Sequence, residues 1–319
     1  MTTSNTTTTK RNRSKHSTKG RNSSKPRADV YASVTNTIVG QLEQGVRPWM
    51  QPWSSGHAAG PVSRPLRHNG DRYNGINILM LWGASLENGF DCPLWVTFKQ
   101  AQQLGGNVRK GEKSTRVVFA STFKKTEEAD GGENVEKDIP FLKAYCVFNA
   151  SQCEGLPDRF YETDLPLNHD LQPHEAASEF VASTKAVIQD GGHQAYYRIS
   201  DDVIGMPQIE TFRDAESHAA TLVHELTHWT RHESRLNRDL GRKRWGDEGY
   251  AMEELVAELG AAFLCADLGI TPEIREDHAG YLQSWLKVLK NDKRAIFSAA
   301  SMASKAVDYL HGLQPTPAA

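Results

Sequence analysis

The sequence predicts an α+β protein of two domains, a small N-terminal α+β domain and a mainly helical second domain with a short sheet. The length of 319 residues exceeds what one hydrophobic core usually organises. Strand-like runs mark the first half, whereas helical periodicity dominates the second half. A proline-containing stretch between them has few helical signals. We therefore predict domains at 28–153 and 174–315, joined by a linker at 154–173.

Composition excludes several classes of protein. Unbroken apolar runs such as 78–82 are far shorter than the roughly 20 residues of a membrane-spanning helix, so no membrane partner is expected. The polar, basic N-terminus does not resemble a secretory signal. The four cysteines show no CxxC pair, which argues against a disulfide framework or a cysteine zinc site. The predicted location is a reducing cytoplasm.

Charge is distributed unevenly along the chain. Residues 1–150 hold 21 Lys+Arg and 12 Asp+Glu, whereas residues 151–319 hold 16 and 27. Much of this asymmetry lies in residues 1–27, which carry eight basic residues and no acidic one. This segment has no apolar run, so it is predicted to be a disordered basic tail. Such a tail is either a nucleic-acid contact or simply a solvated segment.

The N-terminal elements follow from periodicity and punctuation. Val30, Val34, Ile38 and Leu42 recur at helical spacing, and Gly45 is a plausible end. The proline- and tryptophan-containing stretch that follows is predicted to be loop or extended chain. The remaining elements are helices at 74–88 and 97–104 and strands at 116–122 and 141–148, the strands being separated by an acidic, glycine-containing loop at 127–138.

The second half begins with a predicted helix at 175–189 that ends at two glycines. Thr211 and Asp214 resemble the capping box of a later helix. The other predicted elements are strands at 195–200 and 203–211 and helices at 212–233, 248–268, 279–290 and 294–311.

His224, Glu225 and His228 form an HExxH sequence within one of these predicted helices. Residues four apart lie on one helical face about 6 Å apart along the axis, so both imidazoles can bind one metal ion. Glu225 projects about 100° around the helix and can act as a base on water bound to that ion. The alternative is a pair of surface histidines on an amphipathic helix.

A catalytic zinc site needs a third protein ligand. Glu254 and Glu258 lie four residues apart on an otherwise apolar predicted helix. This pattern indicates Glu254 as the metal ligand and Glu258 as the carboxylate that holds a histidine N–H. Glu253 is the weaker candidate ligand, and the alternative is a solvated acidic face. His232 lies about 12 Å from His224 along a helix, too far to share one ion.

A His, His, Glu site implies metal-assisted hydrolysis, with Zn²⁺ or another divalent ion as cofactor. The catalytic role falls to Glu225, which takes the proton of the water. Tyr250 is either a donor to the developing oxyanion or an ordinary core or surface tyrosine.

The first half interleaves aromatic and basic residues in a way that suits single-stranded DNA, because bases stack on rings and phosphates pair with cations. The candidate contacts in the first group are Trp53, Arg72, Tyr73 and Lys99, and those in a glycine-containing turn are Arg109, Lys110 and Lys113. The alternatives are that most of the aromatic residues belong to the core and that the turn is merely solvated.

Several of these motifs together resemble the ArdC-type antirestriction proteins. The resemblance covers roughly residues 28–312. The N-terminal motifs are Trp49 to Trp53, Tyr73 to Asn77, and the segments 95–101 and 106–111; the C-terminal motifs are His224 to His228 and the helix at 253–263. The resemblance implies a plasmid-type protein that binds single-stranded DNA and protects incoming DNA from host restriction. It also implies a zincin-type metallopeptidase domain with a metal at His224, His228 and a glutamate that maps to Glu254.

Two other functions remain open from the sequence. One is a DNA-tethered metalloprotease that digests DNA-bound or DNA-crosslinked proteins, which shares the HExxH motif. The other is a binding protein with a purely structural metal, against which an intact Glu225 argues. Partners besides single-stranded DNA would be a host restriction protein or another DNA-bound protein.

Overall fold

The computed structural model describes residues 29–50, 63–128, 134–161, 173–241, 248–271 and 278–315. The predicted basic tail, Trp53 and much of the predicted linker lie outside these ranges.

The N-terminal half begins with helix α1 (Val30–Glu43), whose first turn is capped because Asp29 accepts a hydrogen bond from the Ala32 amide. Its buried residues include Val34, Ile38 and Leu42, as the spacing predicted. The following elements are β1 (Leu66–Arg67), α2 (Ile76–Asn88), β2 (Leu94–Val96), α3 (Phe98–Gln103), β3 (Asn107–Val108), β4 (Thr115–Glu128), β5 (Asn134–Asn149) and β6 (Cys153–Glu154).

Four of these strands form one sheet in the order β1-β2-β5-β4, in which β1 and β2 are parallel and the other pairs antiparallel. Strands β3 and β6 form a separate antiparallel pair. The β4–β5 hairpin extends further than predicted, since its pairing continues to Glu128↔Asn134. The charged residues there indicated a loop, but pairing between backbone N–H and C=O groups does not require apolar side chains.

The Tyr73 to Asn77 motif has a structural role at the start of α2. Gly75 adopts φ 60° and ψ −140°, a conformation that favours glycine, and its amide donates to the Ser304 hydroxyl at 2.8 Å. The Asn77 amide group bonds both the N–H and the carbonyl of Val118 at 2.8 Å. These contacts attach α2 to the β4–β5 hairpin and to the C-terminal helices.

The C-terminal half is mainly helical, with a three-stranded sheet in the order β7-β9-β8. Its elements are α4 (Pro173–Thr184), β7 (Val187–Asp190), β8 (Tyr196–Arg198), β9 (Val203–Met206), α5 (Ala215–Trp229), α6 (Glu248–Leu268), α7 (His278–Asn291) and α8 (Ala295–Gly312). Within the described ranges, no helix combines the length and apolar character that crossing a membrane requires.

Several predicted boundaries in this half differ from the structure: the strand predicted at 203–211 ends at Met206, and the helix predicted at 212–233 is α5. The helix predicted at 175–189 ends at Thr184 because Lys185 takes a positive φ of 61°, and the next residues form β7 alongside β9. Helix α5 is capped by Asp214, which accepts from the Ser217 amide at 2.7 Å. Thr211 is not the cap, because its hydroxyl bonds the Gln208 carbonyl in a preceding 3₁₀ turn.

The two halves share a continuous hydrophobic core. Side chains of α1 and α2 belong to the same buried cluster as those of α5 to α8, and the rings of Trp82 and Phe263 meet at 5.8 Å across the boundary. A smaller cluster lies within the N-terminal half and contains the free thiols Cys92 and Cys153. The halves are therefore packed against one another rather than connected only through the chain.

Candidate metal centre and nucleic-acid surface

The candidate metal centre forms where α5 and α6 approach closely. Gly260 on α6 faces Thr227 on α5, and a Cβ at position 260 would lie 2.5 Å from the Thr227 methyl carbon. Thr227 precedes His228, and Gly260 is two residues beyond Glu258. The small residue thus allows the carboxylates of α6 to reach the histidines of α5.

The side chains of His224, His228 and Glu254 converge around one point. His224 Nε2 is 3.7 Å from Glu254 Oε2, and His228 Nε2 is 3.6 Å from Glu254 Oε1. One ligand atom from each of the three residues lies within 4.8 Å of the others. Ligands about 2.0–2.1 Å from a tetrahedral ion lie roughly 3.4 Å apart, so the spacing fits a divalent metal.

His228 is held from behind by an acidic residue of α6. Its Nδ1 hydrogen-bonds Glu253 Oε1 at 3.1 Å, and Arg238 donates hydrogen bonds to both oxygens of the same carboxylate at 2.7 and 2.8 Å. All three side chains are buried or nearly so. Glu253, which the sequence indicates only as a weaker candidate ligand, instead supports His228, and Arg238 was not predicted. Nothing in the local pattern identifies Arg238, which precedes α6 on a separate segment.

His224 has a corresponding carboxylate behind it, but the contact is longer. Glu258 Oε2 faces His224 Nδ1 at 3.9 Å, beyond hydrogen-bond distance. The other oxygen, Oε1, accepts a hydrogen bond from the Trp49 indole at 3.3 Å and lies 3.7 Å from the Arg47 guanidinium. The carboxylate that hydrogen-bonds a histidine is therefore Glu253 rather than the expected Glu258.

The charges of this cluster perturb its protonation strongly. Burial lowers the pKa of His228, but Glu254 and Glu253 outweigh it and raise that pKa to about 10. Burial raises the pKa of Glu253, but Arg238 and His228 lower it to about 2. Burial also raises the pKa of Glu254, but His228 and His224 outweigh it and hold that pKa below its usual range. The carboxylates thus favour positive charge at the centre, as a cation site requires.

The two candidate catalytic side chains occupy different settings. Glu225 is buried on α5, between the two histidines in sequence. Tyr250 is half-buried near the start of α6, and its hydroxyl hydrogen-bonds the Tyr281 hydroxyl at 2.8 Å. Burial and the charge of Glu254 raise the pKa of Tyr250, which keeps its proton on the ring oxygen.

The candidate DNA contacts of the turn between β3 and β4 are accessible. Arg109, Lys110 and Lys113 are all exposed there. Arg109 bonds Glu112 at 2.9 Å, and Glu112 also accepts from Gln152, so this carboxylate stiffens the turn. Lys99 is exposed separately on α3, beside Phe98, which is 52% exposed.

Two other candidates are placed differently from expectation. Tyr73 is only 3% exposed, so it is a core residue and its assignment as a base-stacking contact is wrong for this conformation. Arg72 is 43% exposed, but its guanidinium lies 3.4 Å from the buried Asp267 carboxylate. Part of its charge is therefore already neutralised. The spacing of these residues gave no signal that Tyr73 is buried or that Arg72 lies beside Asp267 of α6.

An exposed aromatic pair on the β4–β5 hairpin was missed. Phe119 and Phe141 are 52% and 37% exposed, and their rings meet at 6.3 Å. Phe119 pairs with Lys143 and Ser121 with Phe141, which puts the two rings and an exposed lysine on one face. The signal that could have identified this pair is two apolar residues at strand positions whose side chains face solvent.

Family comparisons agree with this architecture in both halves. A model of the N-terminal domain of the anti-restriction factor ArdC matches residues 28–148, and a zincin-like metallopeptidase model matches residues 175–302. The fold and site therefore define a two-domain α+β protein that joins a small N-terminal domain to a zincin-like metallopeptidase domain, and the predicted fold class is confirmed. The chain belongs to the ArdC-type antirestriction proteins.

Individual relatives support the same family. Over 291 residues the chain is 38% identical to the uncharacterized protein y4eC of Sinorhizobium fredii (strain NBRC 101917 / NGR234), covering 90% of this chain and 92% of that protein. It is 37% identical to a DNA primase TraC of Escherichia coli over 88% of this chain, but spans only 27% of that primase.

Solved structures of a relative are also similar. The metal-free crystal structure of the antirestriction ArdC protein from the R388 plasmid is 44% identical, with a TM-score of 0.75 over 89% of this chain and 97% of that chain. The Mn(II)-bound structure of that protein is 42% identical, with a TM-score of 0.74 over 89% and 98%.

Proposed function

We propose that this protein binds single-stranded DNA, contains a metal-dependent peptidase-type centre, and protects incoming plasmid DNA from host restriction. The observation that carries the proposal is the convergence of His224, His228 and Glu254 on one point. Its support is the similarity, over nearly the whole chain, to an antirestriction protein that has a Mn(II)-bound structure.

We assign the metal ligands to His224, His228 and Glu254, and Zn²⁺ is the ion that this donor set favours. A divalent ion held there would polarise a scissile carbonyl and activate water for attack. Glu225 would accept the proton from that water, since it is adjacent to a ligand on the same helix. Glu253 fixes the orientation of the His228 ring by its hydrogen bond to His228 Nδ1. This leaves His228 Nε2 directed at the point where the three ligand side chains converge.

We place DNA binding on the exposed residues of the N-terminal half. Lys99, Arg109, Lys110 and Lys113 would pair with phosphates, and the Phe119–Phe141 pair would stack on bases. The predicted basic tail and Trp53 remain part of this proposal, although they lie outside the described ranges. Tyr73 is excluded by its burial.

Salt titration of full-length variants on a labelled single-stranded oligonucleotide tests this surface. Each phosphate contact contributes a slope of about −0.7 in log affinity against log salt. We expect Lys110→Ala to make the slope shallower by about that amount and deletion of residues 1–27 to flatten it further. Phe119→Ala should lower affinity at every salt concentration, by about 1–3 kcal/mol, with the slope unchanged.

Matched controls lie in the other half of the chain. Lys305 is an exposed lysine on α8, and Ile199 is 50% exposed, close to the value for Phe119. Neither Lys305→Ala nor Ile199→Ala should change binding. If each N-terminal variant matched its control, the proposed DNA surface would be rejected.

The second candidate function is the DNA-tethered protease. The hydrogen bond from Trp49 to the Glu258 carboxylate favours it, because this bond joins the N-terminal half to the metal centre. The two functions differ in what the metal centre serves. Antirestriction predicts that conjugated plasmid DNA survives better in a restricting recipient when the protein is present, with no difference in a non-restricting recipient. The protease predicts metal-dependent cleavage of a protein crosslinked to single-stranded DNA. We expect the first result; cleavage abolished by Glu225→Gln, without any protection, would favour the second function.

A further inference from the structure

Each histidine of the candidate centre is supported by a series of side-chain contacts. Behind His228 the series runs from Nδ1 to Glu253 and then to Arg238. Behind His224 it runs from Nδ1 to Glu258 and then to Trp49 and Arg47. In each series a carboxylate lies between an imidazole and a cationic or N–H donor.

The two series differ in which half of the protein supplies the groups that contact the carboxylate. Arg238 belongs to the C-terminal half, between α5 and α6. Trp49 and Arg47 belong to the N-terminal half, just after α1. Trp49 is fully buried, and its ring packs edge-on against Trp285 of α7 at 6.1 Å, so the indole N–H has a fixed direction.

We propose that Trp49 and Arg47 are positioning residues of the metal centre, so that the N-terminal half completes the site that binds the ion. This inference rests on the proposed metal site. With Oε1 of Glu258 held by Trp49 and Arg47, Oε2 is directed at His224 Nδ1. On metal binding the 3.9 Å separation need only shorten by about 1 Å for a hydrogen bond. That bond would fix the His224 tautomer with Nε2 free for the metal.

Charge supports the same reading. A buried carboxylate needs hydrogen-bond donors or cations close to it, because burial removes its contacts with water. Glu258 is 4% exposed, and its Oε1 accepts a hydrogen bond from the Trp49 indole and lies near the Arg47 guanidinium, both of the N-terminal half. A carboxylate behind a metal-binding histidine orients the imidazole ring and so strengthens metal binding.

The test measures metal affinity of the full-length protein by competition with a chelator for Zn²⁺ and for Mn²⁺. Loss of a group that supports a ligand typically weakens metal binding 10–100-fold. We expect Trp49→Phe, which keeps a ring in the core but removes the N–H, to weaken binding about 10-fold. Arg47→Gln should weaken it by a smaller factor, because its contact is longer and partly exposed.

Trp82→Phe is the matched control. Trp82 is also a buried tryptophan of the N-terminal half that packs on α6, but its N–H donates to the Ser63 carbonyl. It should lose folding stability to a similar extent and keep its metal affinity. Equal metal affinity in Trp49→Phe, Trp82→Phe and the wild type would overturn the proposal.

A double-mutant cycle separates positioning from general damage. If Trp49 acts through Glu258, then Trp49→Phe should have no further effect on metal affinity in a Glu258→Gln background. Additive losses would mean that Trp49 acts by another route and would contradict the proposal. Failure of the metal site itself is recognised separately, since His224→Ala would then bind metal as the wild type does.

Discussion

Replacing His224 with alanine should remove divalent-metal binding from the protein. The wild type is expected to hold one ion per chain after dialysis, measured by elemental analysis and by competition with a chelator. His224→Ala and Glu254→Ala each delete a proposed ligand, so affinity should fall by more than the roughly 100-fold that marks the loss of a supporting group. Glu225→Gln should retain the metal, because Glu225 is assigned as a base.

Two further variants complete this comparison. Glu258→Gln should weaken binding only in part, by about 10-fold, since Glu258 supports a ligand and does not bind the ion. His232→Ala is the control: its Nδ1 contacts the Ser234 hydroxyl at 2.8 Å, beyond the end of α5. Release of metal by Glu225→Gln to the same extent as by His224→Ala would show that the roles are wrongly assigned.

Replacing Asp267 with asparagine should destabilise the protein by about 3–5 kcal/mol, the usual cost of leaving one partner of a buried ion pair uncompensated. Arg64 of the N-terminal half binds both oxygens of Asp267 at 2.6 and 2.7 Å, and each side chain is only 2% exposed. His311 of α8 approaches the same carboxylate at 2.7 Å. Urea denaturation followed by circular dichroism measures the loss.

An exposed ion pair across the same boundary provides the control. Glu43 on α1 and Lys290 on α7 meet at 2.6 Å with side chains 49% and 54% exposed. Glu43→Gln is the same carboxylate-to-amide change, but it should cost less than about 1 kcal/mol because water screens the pair. Equal losses for Glu43→Gln and Asp267→Asn would mean that Asp267 does not hold the two halves together.

The contribution of Asp267 should depend on pH with a defined sign. Burial raises the pKa of Asp267, but the His311 bond and the Arg64 and Arg72 charges outweigh it and hold the pKa below its ordinary value. A carboxyl whose folded pKa is depressed contributes stability fully above its unfolded pKa, about 4, and loses it as pH falls through the folded value. The stability difference between the wild type and Asp267→Asn should therefore shrink as the pH falls below about 4.

Elements with strong periodicity could be predicted from the sequence to within a few residues. Helix α6, expected at 248–268, is observed at Glu248–Leu268, and α8, expected at 294–311, is observed at Ala295–Gly312. The prediction was wrong where backbone geometry interrupts a pattern, as at Lys185, where the expected helix gives way to β7. It was also wrong where pairing alone sustains a strand, as in the β4–β5 hairpin.

At the metal centre, the sequence alone indicates which side chains share a helical face. The i, i+4 spacing puts His224 and His228 side by side on any α-helix, and an isolated acidic pair on the next helix indicated Glu254. The folded structure was needed to show that Glu253 and Arg238 support His228, that Trp49 reaches Glu258, and that Tyr73 is buried. Periodicity along the chain reports only local geometry, whereas Trp49 and Glu258 are 209 positions apart and meet only when the two halves pack.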